Sequence, residues 1–318
     1  MGRRAEARRP LLLTLGATKG KTMSHLDTIK FIINHPLNRG HKLRSIIRFT
    51  KWQIGSRLVP GSVVYDWVNG SKFLVKTGET GLTGNIYTGL HEFPDMAFLL
   101  HFLRGEDLFL DVGANVGSYT ILACSAIGAK GIAFEPVPST YNRLIENMRL
   151  NHLEGKVKSI NKGVGARQGS IAFTSDSDTT NHALASGEQC ANAVTVEVTS
   201  LDAALQSETP ALIKIDVEGF ETPVLEGAPE TLQKQTLHSV IMELNGSGSR
   251  YGFDEKRILE LMANYGFETY SYNPFERTLI SLEGKNLNSG NTLFIRDKKF
   301  VEARLKSSPK VKLHGFQF

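Results

Sequence analysis

Three short apolar runs in the middle of this chain each stop at an acid. Leu108-Phe109-Leu110 ends at Asp111, Gly131-Ile132-Ala133-Phe134 at Glu135, and Leu212-Ile213-Lys214-Ile215 at Asp216. Between them lie segments of helical spacing, such as Tyr141, Leu144, Ile145 and Met148 behind Pro136 and Pro138. Strands alternating with helices predict an α/β fold, a mostly parallel sheet with helices on both faces. In such sheets ligands bind beyond the carboxyl ends of the strands, and that is where the three acids stand.

Other segments fit around this sheet. Val157–Ile160 reads as a third strand, residues 240–242 as a fifth ending at Glu243, and residues 267–272 and 292–295 as the last strands. A helix is expected from Asp254 to about Tyr265. Residues 163–199 read as antiparallel excursions, and Ser200 as a helix start. Upstream, residues 24–58 have loosely helical spacing broken by Pro36 and Gly40. Two strands, Val63-Val64-Tyr65 and Phe73-Leu74-Val75, flank Asn69-Gly70, a favoured hairpin turn. Residues 78–87 are rich in glycine and hydroxyls and read as a loop. The expected organisation is a basic disordered tail at 1–22 and an N-terminal extension at 23–106 packing on or covering the site. A cofactor-binding domain follows at 107–295, then a second basic, solvated tail at 296–318.

The first acid opens the loop Asp111-Val112-Gly113-Ala114-Asn115-Val116-Gly117. Gly113 and Gly117 suit a tight turn with close backbone approach, and the helix that follows offers free N–H groups at its start. Glu135, 20 residues beyond Asn115, stands where an acid can accept hydrogen bonds from both ribose hydroxyls. A dinucleotide fingerprint would place glycine at 115 and 118, but these are Asn115 and Ser118. S-adenosylmethionine, which has no pyrophosphate, fits better: its ammonium meets Asp111 and its carboxylate the loop amides. An NAD-linked oxidoreductase or epimerase, or a catalytically silent binding protein, is the alternative.

With these residues in view, the chain resembles the FkbM-type methyltransferases. Residues 109–117 are similar to that family's nucleotide loop, and Phe134-Glu135-Pro136 to its second motif. Its most distinctive motif resembles Ile213-Lys214-Ile215-Asp216-Val217-Glu218-Gly219-Phe220-Glu221, followed by Val224-Leu225-Glu226-Gly227-Ala228. The likeness covers roughly residues 107–280. Upstream, Thr83-Gly84-Asn85-Ile86-Tyr87 and Gly89-Leu90-His91-Glu92-Phe93 resemble a subgroup. The resemblance implies the class I methyltransferase (Rossmann-like) fold, a seven-stranded sheet whose last strand is antiparallel. It also implies O-methylation of a hydroxyl on a sugar or natural product. Asp111, Gly113, Asn115 and Gly117 would cradle the methionine end of S-adenosylmethionine, and Glu135 would hold the ribose. The third-strand region, Asn161-Lys162-Gly163-Val164-Gly165, would enclose the adenine through Asn161 or backbone.

Transfer to a hydroxyl benefits from a general base, typically by ~10²–10⁴-fold. Asp216 is the first candidate beside the reacting centre, with capping of the next helix as its other reading. Glu218 shares its turn and would bind substrate or pair with Lys214, whereas Glu221 suits the first turn of a helix. His182, after Thr179-Thr180, can serve as a base near neutral pH or be an ordinary surface histidine; His91 beside Glu92 is a further candidate. Glu243 would line the acceptor pocket, Asn245-Gly246-Ser247-Gly248 would form its rim, and Tyr270, Tyr272 and Phe275 would form an aromatic wall or pack in the core. Asp216, Glu218 and Glu243 are hard oxygen ligands of the kind magnesium takes. No metal-ligand spacing accompanies them, so no metal is expected.

Cys124 and Cys190 form no CxxC pair, which argues against a disulfide framework or zinc site and favours a cytoplasmic setting. The net charge of +5 arises at the ends. Residues 1–22 carry six Lys/Arg and one acid, and residues 296–318 carry seven and two. Without them 24 basic and 29 acidic residues remain, a net charge of −5, so nucleic acid is not an expected partner. A small molecule or glycan is. No run approaches the ~20 apolar residues of a membrane span. The apolar stretch at 11–13 falls short of a signal-peptide core, and Met23 precedes a better-patterned segment.

Overall fold

The computed structural model describes residues 25–76, 79–175 and 181–318. The tail at 1–22, Met23 and the Thr179-Thr180 pair lie outside the described residues.

The N-terminal extension begins with α1 (His25–Asn34) and α2 (Lys42–Leu58), parted at Pro36 as expected. The hairpin of β1 (Val63–Asp66) and β2 (Lys72–Val75) follows, antiparallel, with Val63 opposite Val75. Next come α3 (Thr80–Thr88) and α4 (Phe93–Phe102). The structure corrects the reading of residues 78–87 as a loop, Gly78 itself lying outside the described residues. Leu82 and Ile86, one turn apart, are buried, and the buried Asn85 side chain accepts from the His91 amide at 2.8 Å. A Cβ at Gly84 would lie 2.6 Å from the His91 ring, so the glycine lets that ring pack on the helix. Tertiary packing here outweighs the roughly 1 kcal/mol that each glycine costs a helix.

The central unit contains β3 (Leu108–Val112), α5 (Ser118–Ile121), β4 (Lys130–Phe134), α6 (Pro138–Leu150) and β5 (Val157–Ile160). A side sheet of β6 (Gly163–Val164), β7 (Gly169–Phe173) and β8 (Val194–Thr199) leads to α7 (Leu201–Leu205). Then come β9 (Leu212–Ile215), α8 (Glu221–Glu226), α9 (Pro229–Gln233), β10 (Ser239–Glu243) and α10 (Glu255–Asn264). The last sheet strands are β11 (Glu268–Asn273), β12 (Thr278–Ser281) and β13 (Asn291–Ile295).

The main sheet has the order β12-β11-β13-β10-β9-β3-β4-β5. Strands β5, β4, β3, β9 and β10 run parallel, and β13 is antiparallel to both β10 and β11. The seven expected strands are all present. The eighth, β12, pairs with β11 as a hairpin and was not anticipated. Chain order runs outward from β3 through β4 to β5, then restarts at β9 on the other side. The switch point is therefore between β3 and β9, where α/β sheets bind ligands. Both faces are covered. Phe109, Leu212 and Ile241 pack with Phe98 and Phe102 of α4 on one side; Leu110, Ile213 and Val240 pack with Val224, Leu232 and Ile258 on the other. Burial on two faces explains why these strands read as continuous apolar runs.

Residues 296–318 are not the solvated tail expected. They form α11 (Lys298–Ser307), β14 (Lys312–Leu313) and β15 (Phe316–Gln317), and Val301, Leu305, Val311 and Phe318 are buried. Arg304 pairs with Asp107 at 2.5 Å, which accounts for one of the charges read as a basic end. No helix among the described residues is long and apolar enough to cross a membrane.

Candidate active site

A cavity of about 810 Å³ lies over the carboxyl ends of β3, β4, β9 and β10 and is bounded by residues of α1, α2 and α3. Asp111, Gly113, Asn115 and Glu135 line one part of it; Asp216, Glu218 and Glu243 line another. The helical side contributes Phe31, Phe49, Trp52 and Tyr87. Tyr270, Tyr272 and Phe275, expected as the aromatic wall, do not line it: the two tyrosines are buried core and Phe275 packs on Phe93 at 5.3 Å. The real wall was visible as a stripe of α2, since Phe49, Trp52, Gln53 and Ser56 follow helical spacing and all face the cavity.

The glycine loop is shaped chiefly by the protein itself. Gly113 has φ +83°, and a Cβ there would come within 1.9 Å of the Asp216 carbonyl oxygen. The loop after β3 and the loop after β9 are thus in backbone contact. Gly117, at φ +96°, precedes α5 and would strike Leu144 of α6 at 2.7 Å if it carried a Cβ; it packs a helix start and is not a cavity residue. The amides of residues 113–117 all have internal acceptors. Gly113 and Ala114 donate to the Phe134 carbonyl, Asn115 to Glu135 Oε2, Val116 to the Asn115 side chain, and Gly117 to the Ala114 carbonyl. These five amides hold the turn.

Asp111 is buried and accepts from the Thr120 hydroxyl at 2.6 Å. Burial raises its carboxyl to about 6, with Thr120 and Lys214 pulling the other way. Glu135 is also buried, and accepts from the amides of Asn115 at 3.0 Å and Val137 at 2.9 Å, one on each oxygen. Burial raises it to about 7. Each oxygen keeps a lone pair for a further donor, as a ribose diol requires. Asn161 does not face the cavity: its amide bridges the carbonyls of Glu135 and Pro136 at 2.8 and 3.0 Å, and so steadies the Glu135 turn. Lys162, Gly163 and Val164 line the cavity instead.

On β9, Lys214 is buried, with Nζ 2.9 Å from Asp216 Oδ2 and 3.1 Å from Asn291 Oδ1. Asn291 in turn donates to Glu92 at 2.7 Å and Asp95 at 3.2 Å, and Tyr119 donates to Glu92 at 2.8 Å. Burial would lower the Lys214 ammonium, but Asp216, Glu92 and Glu243 together raise it above the ordinary lysine value. Lys214 therefore stays charged and fixes the Asp216 carboxylate, one third of which remains exposed. Sequence reading reached only the Lys214–Glu218 pairing and missed this network.

Asp216, Glu218 and Glu243 come together: one carboxylate oxygen from each lies within 4.8 Å of the others. Burial, then Asp216 and Glu221, raise Glu218 to about 8. Burial also raises Glu243 well above its ordinary value, followed by Asp216 and Glu218. Glu221 opens α8 as expected, and its carboxylate accepts from the Gly219 amide at 3.1 Å. His182 is not brought to this cluster; its Nε2 lies 3.1 Å from Glu188, outside the cavity lining, whereas its neighbour Asn181 lines it. His91 lines the cavity beside Glu92. Of the proposed rim, the Gly246 amide donates to Glu255 and the Ser247 amide to Asn245, both away from the lining.

The charge of the lining tests the expected cofactor. Glu92, Asp111, Glu135, Asp216, Glu218 and Glu243 face Arg57, Lys162 and Lys214. An acid-rich cavity suits a sulfonium and an ammonium, which favour the ionised form of these carboxyls.

Comparison with known proteins agrees with this chemistry. A family model described as Methyltransferase FkbM domain matches residues 111–269, half of the chain. The hexuronic acid methyltransferase AglP of Haloferax volcanii is 30% identical over 174 residues, which are 54% of this chain and 67% of that protein. Methyltransferase 1 of Beauveria bassiana is 29% identical over 193 residues, 53% of this chain and 72% of that one. The solved structure of a methyltransferase FkbM from Methylobacillus flagellatus KT aligns at a TM-score of 0.41 and 14% identity, over 67% of this chain and about half, 52%, of its own.

Proposed function

Because this chain belongs to the FkbM methyltransferase family, with S-adenosylmethionine as its methyl donor, we propose that it methylates a hydroxyl oxygen of a sugar or small natural product. The observation that carries the reading is the position of Asp216. Its carbonyl packs against Gly113 of the cofactor loop while its carboxylate lines the same cavity as Asp111 and Glu135. The name of the Haloferax volcanii relative, a hexuronic acid methyltransferase, supports a sugar acceptor.

When bound, the cofactor supplies a methyl group on a sulfonium that leaves as a neutral thioether. Glu135 would accept from the ribose hydroxyls, and Asp111 would pair with the ammonium. Phe31, Phe49 and Trp52 exclude water from the cavity. The acceptor oxygen lies against Asp216, which Lys214 orients and which takes the hydroxyl proton. Glu218 lines the cavity beside it. Alignment of oxygen, methyl and sulfur contributes several kcal/mol, up to about 7–11 in favourable cases.

Titration calorimetry with S-adenosylmethionine, its demethylated product and NAD tests the cofactor; preference for NAD would sink the reading. Labelled methyl donor is then offered to glycan and metabolite extracts, with mass spectrometry of the product. An alkali-stable label on oxygen is expected. A label on nitrogen or carbon would refute hydroxyl methylation.

A further inference from the structure

We propose that Asp216, Glu218 and Glu243 form a binding site for one hard divalent cation, of the magnesium or manganese type. The three residues come from the ends of two adjacent parallel strands, β9 and β10, and converge on the cavity floor. One carboxylate oxygen from each lies within 4.8 Å of the other two. Neighbouring oxygens around an octahedral Mg²⁺ stand about 3.0 Å apart and opposed ones about 4.2 Å; around the larger Ca²⁺ these are about 3.4 and 4.8 Å. The three carboxylates must therefore draw together to close on an ion.

A second observation points to a ligand. Glu243 Oε2 is fully buried and has no hydrogen-bond partner. Buried acceptors left without a partner are rare, and each calls for an explanation such as an ion. Lys214 neutralises Asp216 through Oδ2. Among the described residues no Lys or Arg lies within ion-pair distance of Glu218 or Glu243. A dication supplies the missing charge with the oxygen coordination it prefers.

The role of the ion rests on the methyl-transfer reading. At the acceptor end of the cavity it would bind two adjacent oxygens of the acceptor, such as a vicinal diol or a hydroxyl beside a carboxylate. It would thereby make the reacting hydroxyl more acidic. The acceptor class this favours is a chelating one, and a lone alcohol would be a poor substrate.

The test is Mn²⁺ titration of the full chain after chelator treatment, read by loss of the free-ion electron paramagnetic resonance signal. One saturable Mn²⁺ per chain, displaced by Mg²⁺, is expected, with binding weakened at least about tenfold in Glu243→Gln. No saturable binding up to about 10 mM Mn²⁺ overturns the site, as does Glu243→Gln binding as tightly as the parent chain. If Glu243→Gln does not fold by circular dichroism, Glu218→Gln takes its place with the same expectation. The binding readout is independent of turnover, so failure of the methyl-transfer reading leaves it intact. Methyl transfer that persists at full rate after exhaustive chelation, in a chain that binds Mn²⁺, overturns the catalytic role assigned to the ion.

Discussion

Asp111 and Asp216 both end parallel strands, yet they do different work. Asp111 is buried in the cavity lining and hydrogen-bonded to Thr120, whereas Asp216 is more open to the cavity and tied to Lys214. Asp111→Ala should therefore weaken cofactor binding, and Asp216→Asn should lower turnover by roughly 10²–10⁴ with cofactor affinity kept. Calorimetry alongside initial rates separates the two, and an unchanged rate in Asp216→Asn would remove its role as base. Gly113→Ala should destabilise the fold by more than about 2 kcal/mol, because it meets both a positive φ and the Asp216 carbonyl. Chemical denaturation of the variant checks this, with a loss below 0.5 kcal/mol counting against the contact. At this scale the acids and glycines were readable because each stands in a local motif. Lys214 was not readable as a charged network, since Asn291 and Glu92, which complete it, lie far away along the chain. Asn161 and His182 were placed by neighbourhood in sequence, and their side chains turned to the backbone and to Glu188.

Among elements, the strands and the helices at Asp254 and Pro138 followed from periodicity and capping. The misread pieces share a cause. Helix α3 is rich in glycine, and α11 is rich in charge, so composition opposed both; each is held by what it packs against. Leu305 in α11 is fully buried, and Leu305→Ala should cost about 2–5 kcal/mol. A solvated tail would lose next to nothing, so the thermal midpoint of this variant distinguishes the two descriptions. Strand β12 was missed because half of it is exposed, with Ser281 and Ile280 outward, and it carries no continuous apolar run.

The whole molecule should become less stable as pH rises through neutrality. Burial raises the carboxyls of Asp95, Glu135 and Glu221 to about 7 in the fold. Their stabilising contribution is complete below the ordinary carboxyl pKa and is lost as pH climbs through the folded value. His35, lowered by burial to about 3, and His101 and His314, lowered to about 4, act in the opposite sense. Their contribution is present above 6.5, the ordinary histidine value, and is lost only on acidification. Between pH 6.5 and 8 the acids therefore dominate, each with a slope of at most about 1.4 kcal/mol per pH unit that halves at the folded value and fades above it. Denaturant midpoints should fall across that window for the ligand-free chain, and a saturating concentration of the cationic cofactor should flatten the fall. A midpoint that rises instead would show that these carboxyls ionise without cost.

The contact between Gly113 and the Asp216 carbonyl has a further consequence. The loop after β3 and the Asp216 turn after β9 are spaced by two adjacent strands in hydrogen-bonded register, with Val112 opposite Ile215. That spacing works as a fixed gauge, independent of what fills the rest of the cavity. The aromatic surface of α1 and α2 can be rewritten by mutation while the spacing of the two loops stays the same. New acceptor preferences should therefore be reachable by diversifying Phe31, Phe49, Trp52 and Gln53, with the two strand-end loops left untouched.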